Sequence, residues 1–205
     1  MKIEHLLYDY LVTEGFSTTW AAYINMFTLL IGVLIITFII DFVIKKILVQ
    51  LFTQFAIKSK TNFDDLLVKN KVPRNIAHII PLIFALELTP AVFIDFQYIE
   101  NIIQKGLEVF TIVLILWIVR SVLNALKDYL KTVPRLKDKP IDSYIQVFMI
   151  FSWIFGILSA FAIITGIEFI KFITTIGAAS AVILLIFKDT ILGFVASIQV
   201  SINDM

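Results

Sequence analysis

Two long runs in this chain contain no Asp, Glu, Lys or Arg: Gly15 to Ile40, 26 residues, and Ser143 to Ile167, 25 residues. About 20 mainly apolar residues suffice for a helix to cross a hydrocarbon core of about 30 Å. Each run is therefore long enough to span a membrane. Three further runs are interrupted: Asn75 to Ile94 by Glu87, Ile102 to Leu126 by Lys105, Glu108 and Arg120, and Phe172 to Asn203 by Lys188 and Asp189. Five candidate spans result. With 60% hydrophobic and 16% charged residues, against about 45–50% and about 25% in soluble domains, the chain holds more apolar surface than a soluble fold can hide. Nineteen Phe and only 7 Gly and 5 Pro exclude a disordered or collagen-like chain.

The basic residues decide whether the interrupted runs count. Cytoplasmic loops collect Lys and Arg and short translocated loops do not. From the first loop to the last, the basic residues fall in groups of 1, 7, 1, 6, 1 and 1, which account for all 17. The group of seven runs from Lys45 to Arg74 and the group of six from Arg120 to Lys139. The alternation requires each run to cross once, and it predicts an extracytoplasmic N-terminus and a cytoplasmic C-terminus. Glu4, Asp9 and Glu14 stand where a signal peptide would be basic, so the first run reads as a retained span, anchored at its outer end by Trp20 and Tyr23. The expected divisions are an extracytoplasmic N-terminus over 1–19, a four-span membrane paddle over 20–172 with cytoplasmic loops 41–74 and 120–142, and a last helix over 173–205.

In the first loop, Ser59 to Leu67 reads as a turn and a short helix. Asp64 and Asp65 fall in its first turn, where the helix dipole favours anions, Phe63, Leu66, Leu67 and Asn70 share one face, and Pro73 closes it. The second loop carries Lys137, Asp138 and Lys139 between Pro134 and Pro140, an exposed connector.

The fifth run has two unlike halves. Phe172 to Phe187 is uniformly apolar around the small-residue run Gly177 to Ala181. Ala178 and Ser180 there, with Gly193 below, are candidate positions for close helix packing. From Thr190 the pattern turns amphipathic: Thr190, Gly193, Ser197, Ser201 and Asp204 mark one side, and Ile191, Phe194, Val195, Ile198 and Ile202 the other. Such a helix lies along a membrane surface. The upper half is only 16 residues, about 24 Å. A bend at Lys188 and Asp189 is expected, with the upper half shielded inside an assembly.

Several short patterns resemble the small-conductance mechanosensitive channel (MscS-like) family, in its five-span miniconductance (YbdG-like) branch. Thr61-Asn62-Phe63-Asp64-Asp65 is similar to that branch's loop motif, and His78-Ile79-Ile80-Pro81 to the entry of its second span. Pro140-Ile141-Asp142-Ser143-Tyr144-Ile145-Gln146 resembles the entry of its fourth. Phe187 to Gly193 and Ser201-Ile202-Asn203-Asp204 resemble its pore-helix bend and continuation. The resemblance covers about Thr61 to Met205. It implies an all-α, five-span membrane protein whose last span is a broken pore helix, with a transmembrane half and an interfacial half. It also implies a homo-heptamer in the inner membrane, opened by tension, that passes ions and small osmolytes in hypoosmotic shock. Carried onto this chain, the family pattern puts Ala181 and Leu185 at a hydrophobic constriction, with Thr174, Gly177 and Lys188 on the same lining face. In the family's best-known members the bend falls at a glycine where Asp189 stands here, so glycine hinging does not carry over. Family members continue into cytoplasmic β and α/β domains that these 205 residues do not include.

Other functions find less support. Glu87 would serve a secondary transporter as coupling residue, but no inverted repeat is apparent, and a hydrated carboxyl in a crevice between helices is the plainer expectation. Without a Cys, an HExxH or a GxSxG pattern, few groups remain for an enzyme. Arg120 most simply extends to the cytoplasmic interface. His5 and His78, the only histidines, fall in different compartments, and no Glu or Cys stands beside His78 at metal-ligand spacing, so neither a metal nor a cofactor is expected. The net charge of +1 gives no reason to expect nucleic acid. The expected partners are lipids, further copies of the chain and the permeating solutes. A non-conducting membrane scaffold remains a rival reading.

Overall fold

The charge-free runs fold as helices, and most of those helices outlast the runs. The computed structural model describes residues 5–58, 62–134, 136 and 139–203, with the backbone alone at 6 and 200–203. Thr61, Arg135, Lys137, Asp138 and Asp204 lie outside the described residues. The elements are α1 (Leu6–Thr13), α2 (Thr18–Lys58), α3 (Phe63–Lys69), α4 (Val72–Ala77), α5 (Ile79–Val92), α6 (Gln97–Thr132), α7 (Ile141–Thr165) and α8 (Phe169–Asn203). No strand occurs among the described residues. Five stretches are long and apolar enough to cross a membrane: α2, Val72–Val92, α6, α7 and Phe169–Gln199 of α8. The chain is all-helical and has the make-up of a multi-pass membrane protein.

Two boundaries differ from expectation. The segment 41–74, expected as a loop, is helical as far as Lys58. No proline falls between Thr18 and Lys58, and Asp41 with Lys45 forms an i,i+4 pair at 4.0 Å, so nothing stops the helix at the membrane boundary. For the same reason α6 continues past Arg120 to Thr132. Pro73 does not close α3. That helix ends at Asn70, where Lys71 turns left-handed (φ 62°), and Pro73 opens α4. A proline suits the first turn of a helix, where its missing N–H would have no intrahelical partner.

The chain divides into two compact units, Met1–Ala160 and Phe161–Met205. In the first, α2 packs on α1, α3, α4 and α5, and α6 packs on α3, α4 and α5. One apolar centre joins Met26 of α2 to Val92 and Phe93 at the end of α5, with Leu29, Leu30, Val33 and Phe96 around it. Tyr23 closes over Phe96 at a ring separation of 4.9 Å. On the other side Phe63 meets Tyr129 edge to face at 5.4 Å, which fixes α3 to α6 through the face expected from its sequence. Of that face, Asn70 Nδ2 donates to the Asp128 carboxylate of α6 at 3.1 Å.

The start of α7 is tied to the end of α6 by Asp142, which pairs with Lys127 at 3.3 Å and Lys131 at 2.5 Å. Exposed pairs of this kind contribute about 0–1 kcal/mol. The apolar approach is close: a Cβ on Gly156 of α7 would stand 2.7 Å from Leu116 Cδ1 and 3.3 Å from Ile112 Cγ2 of α6, so the Leu116 side chain would have to shift to admit it. The second unit begins within α7. Gly166 takes φ +73° and its N–H returns to the Ala162 carbonyl at 2.9 Å, a glycine C-cap that ends α7. Phe161 then stacks on Phe172 of α8 at 5.1 Å.

Candidate pore-lining helix

α8 is one helix of 35 residues, Phe169–Asn203. The helix is continuous through Lys188 and Asp189, and the expected break there is not shown. Helix kinks arise at proline, at Gly/Ser pairs, at π-bulges or where a polar group enters the backbone ladder. Neither Lys188 nor Asp189 supplies such a cause, and neither makes a hydrogen bond or ion pair among the described residues. As sequence neighbours they point in different directions on the helix.

Each candidate lining residue is exposed: Thr174, Gly177, Ala181, Leu185 and Lys188, as are Asp189 and the packing candidates Ala178, Ser180 and Gly193. Leu185 has 72% of its surface open and Leu184 67%. In the charge-poor part of α8 no residue of the most apolar stretch is buried. The Thr174 hydroxyl is satisfied by its own helix, donating to the Ile170 carbonyl at 2.7 Å, so it leaves only a small, weakly polar surface on that face.

At about 100° per residue, Thr174, Gly177, Ala181, Leu185 and Lys188 fall within an arc of about 80°. Thr190, Gly193 and Ser197 centre about 150° away from it on the same helix. A continuous α8 therefore carries the stripe of Thr174, Gly177, Ala181, Leu185 and Lys188 on one side of its first half and a polar stripe on nearly the opposite side of its second. One flat environment cannot satisfy both.

The remaining candidates lie in the first unit. Asp64 and Asp65 occupy the first turn of α3, as expected, with no side-chain cap at Asn62. Asp64 is half-buried and Asp65 exposed. Glu87 is exposed on α5. Arg120 is exposed and lines a cleft of about 290 Å³ with Asn124, Lys127, Asp142, Gln146 and Trp153.

The sequence reading left His78 without a partner. In the fold its Nδ1 lies 2.5 Å from Asp41 Oδ1 of α2, a contact across 37 positions for which no local spacing gives a signal. Asn75, one turn earlier, donates from Nδ2 to the Ser121 hydroxyl of α6 at 2.5 Å. Among the described residues no group of three or more His, Asp or Glu is placed to hold a metal ion. No protein-family model matches this chain, and no solved structure matches it.

Proposed function

We propose that this chain is the membrane portion of a tension-gated ion channel of the MscS-like kind. The observation that carries the reading is α8, a long apolar helix with the stripe from Thr174 to Lys188 and its polar stripe both uncovered. Copies of the chain packed around an axis, seven in the resemblance, would turn the stripe of Thr174, Gly177, Ala181, Leu185 and Lys188 inward. The rings of Ala181 and Leu185 form the gate: a narrow apolar ring leaves no room for a hydrated ion, and the pore dewets. With that stripe inward, the polar stripe from Thr190 onward would face away from the axis. A bend at Lys188 and Asp189, formed in the assembly, lays that second half along the cytoplasmic surface with its polar side toward water. Lys188 of one copy then pairs with Asp189 of the next, which neutralises two charges that are costly at this depth.

The work is mechanical and needs no cofactor or catalytic group. A conformation with larger area in the membrane plane gains free energy in proportion to tension, and that difference between states is what any such switch requires. The series of basic loops orients the N-terminus outward and the C-terminus into the cytoplasm of an inner-membrane protein. Opening releases ions and small osmolytes during hypoosmotic shock.

Purified protein in liposome patches, stepped through increasing suction, tests the reading. Discrete currents that rise with suction are expected. A folded, oligomeric protein that stays silent up to patch rupture would overturn it in favour of a scaffold.

A further inference from the structure

α2 and α6 are the two longest helices of the first unit, yet they share no packing interface beyond isolated contacts. Where they would meet lies a cavity of about 410 Å³, walled by Leu34 and Phe38 of α2, Leu82 and Ala85 of α5, and Leu107 and Phe110 of α6. The segment that touches both is α3 to α5. Its middle piece, α4, is the most deeply set, with Val72, Pro73 and Ala77 buried among its six residues. The backbone leaves helical conformation before it, at left-handed Lys71, and after it a single turn at His78, still right-handed, leads into α5.

Two polar contacts hold this peg. His78 reaches Asp41 on α2, whose other oxygen is 4.0 Å from Lys45. Asn75 reaches Ser121 on α6, and the Ser121 hydroxyl, on a residue only 7% exposed, donates a hydrogen bond to the Trp117 carbonyl at 2.8 Å. Removing His78 or Asn75 breaks the link across the helices and leaves Asp41 with Lys45, and Ser121 with the Trp117 carbonyl, on their own helices.

We infer that the α4–α5 segment is the coupling element between α2 and α6: His78, at the turn joining the two helices, holds it to α2 through Asp41, Asn75 holds it to α6 through Ser121, and a displacement of α2 reaches α6 through this segment and not across the cavity. Coupling of this kind needs a contiguous packed and hydrogen-bonded route, and α3 to α5 provide it. As the path by which tension reaches the pore, the role rests on the channel reading; as a link between two helices it does not.

The chain has no cysteine, so paired labels can be placed freely. Ile35 of α2, Ile83 of α5 and Ile115 of α6 are all more than half exposed. Spin labels at Ile35→Cys, Ile83→Cys and Ile115→Cys, taken two at a time in the full chain in lipid nanodiscs, report three separations by pulsed electron resonance. His78→Ala is expected to broaden the 35–83 and 35–115 distributions and leave 83–115 narrow. Asn75→Ala is expected to broaden 83–115 and 35–115 and leave 35–83 narrow. His78→Gln, which keeps an amide donor toward Asp41, is expected to restore the first pair. A 35–115 distribution that stays narrow in the double variant, or three distributions that broaden alike in either single variant, would overturn the inference. Because this readout needs no current, the predicted distances in a protein silent to suction would sink the channel reading and leave the coupling standing. Unchanged distances in a conducting protein would do the reverse.

Discussion

Lys71 holds φ at 62° between α3 and α4, a conformation that costs an L-residue roughly 1–2 kcal/mol. It is exposed, and its side chain makes no hydrogen bond or ion pair among the described residues. Lys71→Gly is expected to raise stability by about 1 kcal/mol, read as a higher midpoint of thermal unfolding in detergent. An unchanged or lower midpoint would show that the turn relaxes in the membrane. Lys188 carries the other prediction at this scale. If it faces a lumen, a ring of ammonium groups favours anions, and Lys188→Gln is expected to move the reversal potential in a salt gradient toward cation preference. An unmoved potential would take Lys188 off the lining face. The sequence made such single positions legible only where local chemistry decides them. Asp64 and Asp65 fall in the first turn of α3 because carboxylates suit a helix start. Asp41 and His78 meet across 37 residues, which no spacing rule anticipates.

Among the elements, α6 and α7 meet through a glycine contact and an exposed ion-pair cluster, and magnitudes separate the two. The pairs of Asp142 with Lys127 and Lys131 sit on a carboxylate 60% exposed and add little. A Cβ on Gly156 would stand 2.7 Å from the end of the Leu116 side chain, which must shift to admit it, and a branched side chain there overpacks at about 1–3 kcal/mol. Gly156→Val is therefore expected to lower thermal stability by about 2 kcal/mol and Asp142→Asn by less than half as much. Equal losses would mean that the charge cluster holds the two helices together. The boundaries of these elements were the least legible part of the sequence. Charged residues mark where lipid ends, but a helix with no breaker keeps its hydrogen bonds into water, so α2 runs on to Lys58 and α6 to Thr132. Pro73 was placed on the wrong side of its turn, because a proline signals the end of one helix and the first turn of the next equally well.

For the molecule as a whole, five membrane-length helices were legible because charge-free length is a property of the sequence alone. The surroundings of α8 were not, since faces left uncovered within one chain record nothing of what covers them. What one chain does show is a helix whose two stripes, about 150° apart, demand two environments, and the proposed assembly supplies them. The central claim is that the stripe through Ala181 and Leu185 is a hydrophobic gate. Its most direct test is the suction threshold of Leu185→Ser against Ile183→Ser in liposome patches. Both residues are exposed in the single chain, and they lie about 160° apart around α8. The account predicts currents at clearly lower suction, or open at rest, in Leu185→Ser, because a hydroxyl ring wets the constriction, and a threshold near that of the unmodified protein in Ile183→Ser. Equal shifts in the two, or no shift in Leu185→Ser in a conducting protein, would contradict it.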